Sequence, residues 1–162
     1  MAVLYFAIVH NTACMKAVRN FPFDDKPLAT LFSDKKELKL VSPASGEHFN
    51  PTIFNQFYAV EKNQSWLFYD QKKNLIGHIG LIQTSERTPF LCHLYVIPKL
   101  RGTGVAQKLV QFLEFNLLEN GHNEVFLSVE RKNLRAQRFY QKLKFSLVES
   151  SERRDTYRKS LI

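Results

Sequence analysis

The segment Leu94-Tyr95-Val96-Ile97-Pro98-Lys99-Leu100-Arg101-Gly102-Thr103-Gly104-Val105-Ala106 constrains this chain more than any other. It reads as a strand, a Gly-rich turn and a helix start. Such a turn aims successive backbone N–H groups at one point, and the positive end of the helix dipole adds to them. Gly102 and Gly104 let a ligand reach the backbone with no Cβ in the way. The physical expectation is a phosphate or pyrophosphate site. Two common phosphate turns do not fit. A nucleotide P-loop needs Gly-Lys-Ser/Thr at the helix start, which is missing. A dinucleotide fingerprint needs a small residue where Gln107 stands. The pattern Arg101-x-x-Gly104-x-Ala106 remains, and alone it is a short pattern that chance can produce.

The surrounding sequence alternates strands and helices. Trp66–Tyr69 and Leu75–Gln83 flank a polar turn and predict a hairpin. Gly77 and Gly80 inside the second strand predict a bulge or a close backbone approach. Thr84–Pro89 turns into a strand over Phe90–Ile97. A helix from about Gly104 to Leu118 carries Ala106, Leu109, Val110, Leu113 and Leu117 on one stripe, and Asn120-Gly121 ends it. Glu124–Val129 is a strand, Asn133 caps a helix to about Leu143, and Phe145–Val148 and Thr156–Leu161 are closing strands. The first third is less regular. Asp24 or Asp25 starts a short helix through Phe32, Glu37–Val41 reads as a short strand or turn, and Asn50-Pro51 opens a helix with Ile53, Phe54, Phe57 and Tyr58 at helical spacing. The whole predicts one α/β domain over residues 1–162, a mixed central sheet flanked by helices.

Composition adds limits. A chain of 162 residues buries roughly 70% of its unfolded surface, enough for one core. The net charge of +8 favours an anionic partner without naming it. Cys14 and Cys92 form no framework, and no metal-ligand spacing is present, so a reducing, cytoplasmic setting and no metal are expected. Ala2–Val9 is apolar but too short to span a bilayer, and no Lys or Arg precedes it. It reads as an extra strand, or residues 1–15 as an extension before a start at Met15.

Downstream of the turn stands Asn133-x-x-Ala136-x-x-Phe139-Tyr140-x-Lys142-Leu143-x-Phe145. Two motifs in this order, with a strand between them, resemble the GNAT superfamily of N-acetyltransferases over about residues 66–162. The resemblance implies acetyl-CoA as cosubstrate and an amine as acceptor. It implies that the Leu94, Tyr95 and Val96 backbone pairs with the pantetheine arm. The turn Arg101, Gly102, Thr103, Gly104, Val105, Ala106 and Gln107 would hold the pyrophosphate on its N–H groups. By the same resemblance Asn133 contacts the cofactor and Tyr140 protonates the departing thiolate. Helical geometry is consistent with this: seven residues turn a helix by about 700°, so Asn133 and Tyr140 lie about 20° apart. A phenol of pKa near 10 suits a thiolate whose conjugate acid lies at roughly 8.5 to 10. The Val96 N–H is a candidate oxyanion donor.

This chain departs from the family pattern twice. Lys144 replaces a common Gly, which should alter the turn. Ser128 stands where relatives with a general base carry a carboxylate; Glu130, on the same strand face, is the candidate base here, with a water as the alternative. Blander roles compete. Asn133 is also a good N-cap, Tyr140 could be plain core, His78 and His93 read as packed or surface residues, and Cys92 reads as a buried small hydrophobe. Arg131, Arg135, Arg138 and Lys142 share a helix face opposite Tyr140 and read as a solvated stripe, with a nucleic-acid or acidic-protein contact as the sharper alternative. A non-catalytic acyl-CoA-binding module is the rival to the enzyme, and a tRNA-linked acetyltransferase is the variant that uses the charge. The acceptor pocket is expected from residues 24–60 and the connection over 149–156.

Overall fold

A computed structural model describes the backbone of Val3–Leu4 and residues 15–84 and 88–162. Its strands are β1 (Val3–Leu4), β2 (Lys16–Arg19), β3 (Gln64–Tyr69), β4 (Leu75–Gln83), β5 (Pro89–Val96), β6 (Glu124–Glu130), β7 (Ser146–Ser150) and β8 (Arg154–Ser160). Among the described residues they form one sheet in the order β1-β2-β3-β4-β5-β6-β8-β7. The β5–β6 pair is parallel, and the other neighbours are antiparallel. Most of the expected strand over Ala2–Val9 and the tip of the Thr84–Pro89 turn fall outside the described residues; Val3 and Leu4 pair with Val18 and Ala17.

Helices fill both faces. They are α1 (Lys26–Leu31), α2 (Lys35–Val41), α3 (Pro51–Tyr58), α4 (Val105–Glu119) and α5 (Leu134–Lys142). Helix α4 buries Leu109, Val110, Leu113 and Leu117 against Trp66, Phe68, Ile76 and Leu127, as its stripe predicts. Gly121 at φ 81° ends it, and the His122 N–H returns to the Leu117 carbonyl at 3.0 Å. On the other face α1, α2 and α3 enclose an aromatic cluster of Phe32, Phe54, Tyr58 and Tyr95. Residues 35–41 are a helix, not the short strand or turn expected of Glu37–Val41. The Asp34 carboxylate accepts from the Lys36 and Glu37 N–H groups at 2.9 and 3.0 Å, and this cap starts a helix the short sequence window conceals. Strand β2, too short to show a pattern, is held by pairing with β3.

The two strand glycines mark close approaches. A Cβ on Gly77 would lie 2.8 Å from the Tyr95 carbonyl oxygen, and one on Gly80 would overlap the Tyr58 hydroxyl. Lys144 does not change its turn as expected. It takes the left-handed φ of 70° itself, and the Phe145 N–H still reaches the Tyr140 carbonyl at 3.0 Å. No helix among the described residues is long and apolar enough to cross a membrane.

Candidate active site

The site begins as a failure of two strands to stay together. β5 and β6 pair only at Phe90–Phe126 and Leu91–Leu127, although β5 continues to Val96 and β6 to Glu130. A bulge accounts for the parting. On β5, His93 and Leu94 together face the single Ile79 of β4, and His93 takes φ 46°. The strands splay and leave a cleft of about 480 Å³. Leu94 on β5, Ser128 and Glu130 on β6, and Asn133 and Tyr140 on and before α5 all line it.

The Gly-rich turn follows β5. Gly102 and Gly104 take φ 77° and 87°, and a Cβ at either would meet no protein atom within 4 Å. What requires glycine is the left-handed backbone. The Lys108 N–H gives the first helical bond, to the Gly104 carbonyl at 3.2 Å. The N–H groups of Val105, Ala106 and Gln107 therefore have no intrahelical acceptor. Among the described residues none is found for those of Gly102, Thr103 and Gly104 either. The result is a run of six donors at a helix N-terminus, a fit for a pyrophosphate.

Arg101 is placed differently from its neighbours. Its own N–H donates to the Pro98 carbonyl. Its guanidinium makes a two-point pair with Glu37 at 3.0 and 2.5 Å, donates from Nε to the Val96 carbonyl at 2.9 Å and packs over the Tyr95 ring. The side chain ties the turn to β5 and α2 rather than facing the six donors. Thr103 Oγ1 is likewise engaged, by the Leu100 carbonyl at 2.6 Å. Tyr95 and Val96 point their side chains into the core, so only their backbone is available to a ligand.

Asn133 is an N-cap that also lines the cleft. Its Oδ1 accepts from the Ala136 N–H at 3.1 Å at the start of α5. Tyr140 is 7% exposed, with its ring against Phe139 and Phe145. No described residue hydrogen-bonds its hydroxyl, although the ring is packed. Burial, and after it the nearby Cys92, push this phenol above its usual pKa. It stays protonated throughout the neutral range.

The facing wall comes from the N-terminal helices. Val41, Ser42, Pro43 and Phe57 line the cleft opposite Ser128 and Glu130, so the expected 24–60 region does reach it. The Glu130 carboxylate lies 3.2 Å from Lys132 Nζ. From β8, Arg154 crosses to the cleft, giving Nε to Ser128 Oγ at 2.9 Å and Nη2 to the Ser128 carbonyl at 2.8 Å. Ser128, where the resemblance led one to look for a carboxylate base, is thus a serine holding an arginine.

The histidines divide. His78 is sealed in the core, with Nε2 near Ser65 Oγ (2.9 Å) and Nδ1 on the His93 carbonyl (2.8 Å). His93 is 9% exposed, yet it lines the cleft, and its Nδ1 meets the Tyr58 hydroxyl at 2.7 Å. Burial pushes His78 down to about 4 and His93 down to about 3, the latter with smaller contributions from His78 and Arg154. Both rings are neutral. Cys92 also faces the cleft, and burial pushes its thiol up to about 12. Sequence reasoning set His93 aside as packed or surface and Cys92 as a buried hydrophobe, and did not single out Arg154. The bulge that turns His93 inward leaves no mark in the residue pattern. The basic run Arg153-Arg154 gave no sign of reaching the cleft.

Known proteins agree with this geometry. The acetyltransferase (GNAT) family matches residues 28–145. Uncharacterized N-acetyltransferases of Mycobacterium tuberculosis and Mycobacterium bovis are 32% identical over 90 residues, 56% of this chain and 58% of theirs. The chain thus spans less than two thirds of the length of these relatives. An acetyltransferase from Thermus thermophilus superposes with a TM-score of 0.75 at 16% identity, over 90% of this chain and 96% of that one. The spermidine N-acetyltransferase of Vibrio cholerae, solved with CoA and spermine, gives 0.67 at 17% identity, over 89% and 92%. The extent of the family match, with the splayed strands and the Gly-rich turn, establishes that this chain belongs to the GNAT acetyltransferase family.

Proposed function

We propose that this protein transfers the acetyl group of acetyl-CoA to a primary amine by direct attack, with Tyr140 as general acid. The observation that carries the reading is the Tyr140 hydroxyl, without a partner among the described residues, in the cleft between β5 and β6, with the six N–H donors on the turn that follows β5. The donors of Gly102–Gln107 take the pyrophosphate, and the free edge of β5 at Leu94–Val96 takes the pantetheine arm. The cosubstrate supplies a thioester. CoA in the Vibrio cholerae neighbour supports this donor.

The amine nitrogen attacks the thioester carbonyl. A C–N bond forms, the C–S bond breaks, and the thiolate takes the Tyr140 proton. The ammonium product of attack gives its extra proton to water or to Glu130. Burial keeps the phenol protonated until the thiolate arrives. The decisive experiment screens an amine library for CoA thiol release. Amine-dependent release is expected. Tight acetyl-CoA binding without release from any amine would make the protein a binding module instead.

A further inference from the structure

The charge lining the acceptor side of the cleft is unusual for a site that receives an amine. Among the described lining residues only Arg154 and Glu130 carry charge. Glu130 is matched by Lys132 at 3.2 Å. His93 is neutral. Arg154 has no carboxylate within ion-pair distance among the described residues. Ser128 holds its Nε and one hydrogen of Nη2. The outer edge, Nη1 with the second Nη2 hydrogen, has no described partner, on an exposed side chain at the rim of the cleft. That edge is a planar two-point donor, the shape a carboxylate accepts. Around it the wall is apolar: Val41, Pro43, Phe57 and Phe90.

We propose that the acceptor is a primary amine that also bears a carboxylate and an apolar body, and that Arg154 binds the carboxylate. The proposal rests on the acetyl-transfer reading. Ser128 acts as the positioning residue. Its hydroxyl and carbonyl fix the guanidinium plane on β8, directly across from Glu130 in the strand register. The apolar wall receives the body of the acceptor, and the amine is left at the Tyr140 end. Acceptors that are cations only meet one uncompensated positive charge and no free carboxylate.

Matched acceptor pairs test this: phenylalanine with phenethylamine, leucine with isoamylamine, and 6-aminohexanoate with hexylamine. Thiol release is measured as kcat/KM at saturating acetyl-CoA. A charge-assisted two-point contact is worth about 10- to 100-fold, and the acid should win by that factor in at least one pair. Arg154→Gln should bring that pair to near parity, and Arg154→Lys should retain part of the preference. Calorimetric acetyl-CoA affinity should hold in both variants, which also reports that they fold. The proposal is overturned if the plain amine matches or beats the acid in every pair. It is equally overturned if the preference survives Arg154→Gln, or if no pair reacts while acetyl-CoA binds. Loss of acetyl-CoA binding by the wild-type protein would instead sink the acetyl-transfer reading beneath it.

Discussion

The two faces of the sheet solve the same packing problem in different materials. Under α4 and α5 the fill is apolar: Leu109, Val110, Leu113, Val125 and Leu127, all at 0–1% exposure, with Trp66, Phe68 and Phe112 among them. Under α1, α2 and α3 it is aromatic and partly polar. There Phe32 stands edge-on to His78 and Tyr95, Phe49 stacks on Phe54, and Phe54 and Phe57 contact His93. The α4 face needs mainly periodic burial, which the long helix α4 supplies. The aromatic face must satisfy polar atoms as well, and does so through the chain Tyr58–His93–His78–Ser65. Each face contributes one buried tyrosine near the cleft. Tyr58 has a partner for its hydroxyl, and Tyr140 has none among the described residues. A partnered hydroxyl holds structure together, whereas one without a partner keeps its hydrogen bond for a ligand.

The same substitution on the two faces should therefore do opposite things. Tyr140→Phe keeps the ring and removes a hydroxyl bonded to nothing described, so stability and acetyl-CoA affinity should stay while kcat falls by roughly 10²- to 10⁴-fold. Tyr58→Phe strands the His93 Nδ1 in a buried site and should cost about 1–3 kcal/mol of stability. Turnover kinetics beside urea melts separate the two. A Tyr140→Phe enzyme turning over like wild type would reduce Tyr140 to core packing.

The polar face should also be the acid-sensitive one. In the unfolded chain both histidines bind protons near pH 6.5. Folded, His78 resists until about 4 and His93 until about 3. Between these limits the unfolded state holds more protons, so stability is complete above about pH 6.5 and falls as pH falls. At pH 5 the loss is about 2 kcal/mol per ring. Urea midpoints at pH 7.5 and pH 5 measure it. Equal midpoints would mean that the rings are already charged.

This contrast also governs what could be read from the residues alone. The stripe of α4, the Gly121 stop, the Asn133 cap and the strand pattern from Trp66 onward are local periodicities, and the structure repeats them. The turn at Gly102–Gln107 was legible because glycine spacing encodes backbone shape directly. The aromatic face was not. Helix α2 depends on the Asp34 cap over seven residues and on Glu37 meeting Arg101, a contact 64 positions away in sequence. The inward turn of His93 depends on register against Ile79, and the placing of the exposed Arg154 at the cleft depends on Ser128 across a strand pair. Long-range pairing creates these positions, and no short window contains it.

The two ends of α4 offer a smaller, cleaner comparison. Gly104 and Gly121 sit at φ 87° and 81°, each with nothing within 4 Å of a built Cβ. Valine at either place suffers the same left-handed strain, on the order of 1–2 kcal/mol. Only at Gly104 would the new side chain occupy the space before the six donors. Gly104→Val should lower acetyl-CoA affinity by about 10- to 100-fold, and Gly121→Val should leave it alone, as read by calorimetry. Equal affinities in two folded variants would remove the turn from the binding site.

The smallest effect is expected on the outer face of α5. Arg135, Arg138 and Lys142 are exposed on α5, as their spacing predicts, whereas Arg131 is exposed in the turn before the helix begins and does not share its face. They are not equivalent. Arg131 lies 3.8 Å from the buried Asp155 and reaches the Ser151 carbonyl, so reversing it would set two carboxylates together. Arg135 and Arg138 make no ion pair among the described residues. The pair Arg135→Glu and Arg138→Glu should shift stability by less than about 1 kcal/mol and leave acetyl-CoA affinity intact. The same variant tests whether the charge of this face serves a polyanion. Phosphate contacts release counterions, so binding to bulk tRNA would weaken steeply with added salt and would drop in the double variant. The exposed side chains of this face read as the solvated side of the helix. Weak binding with a flat salt response is therefore expected. A steep slope that the double reversal flattens would make the stripe a second recognition surface, and the acceptor a nucleic-acid-linked amine.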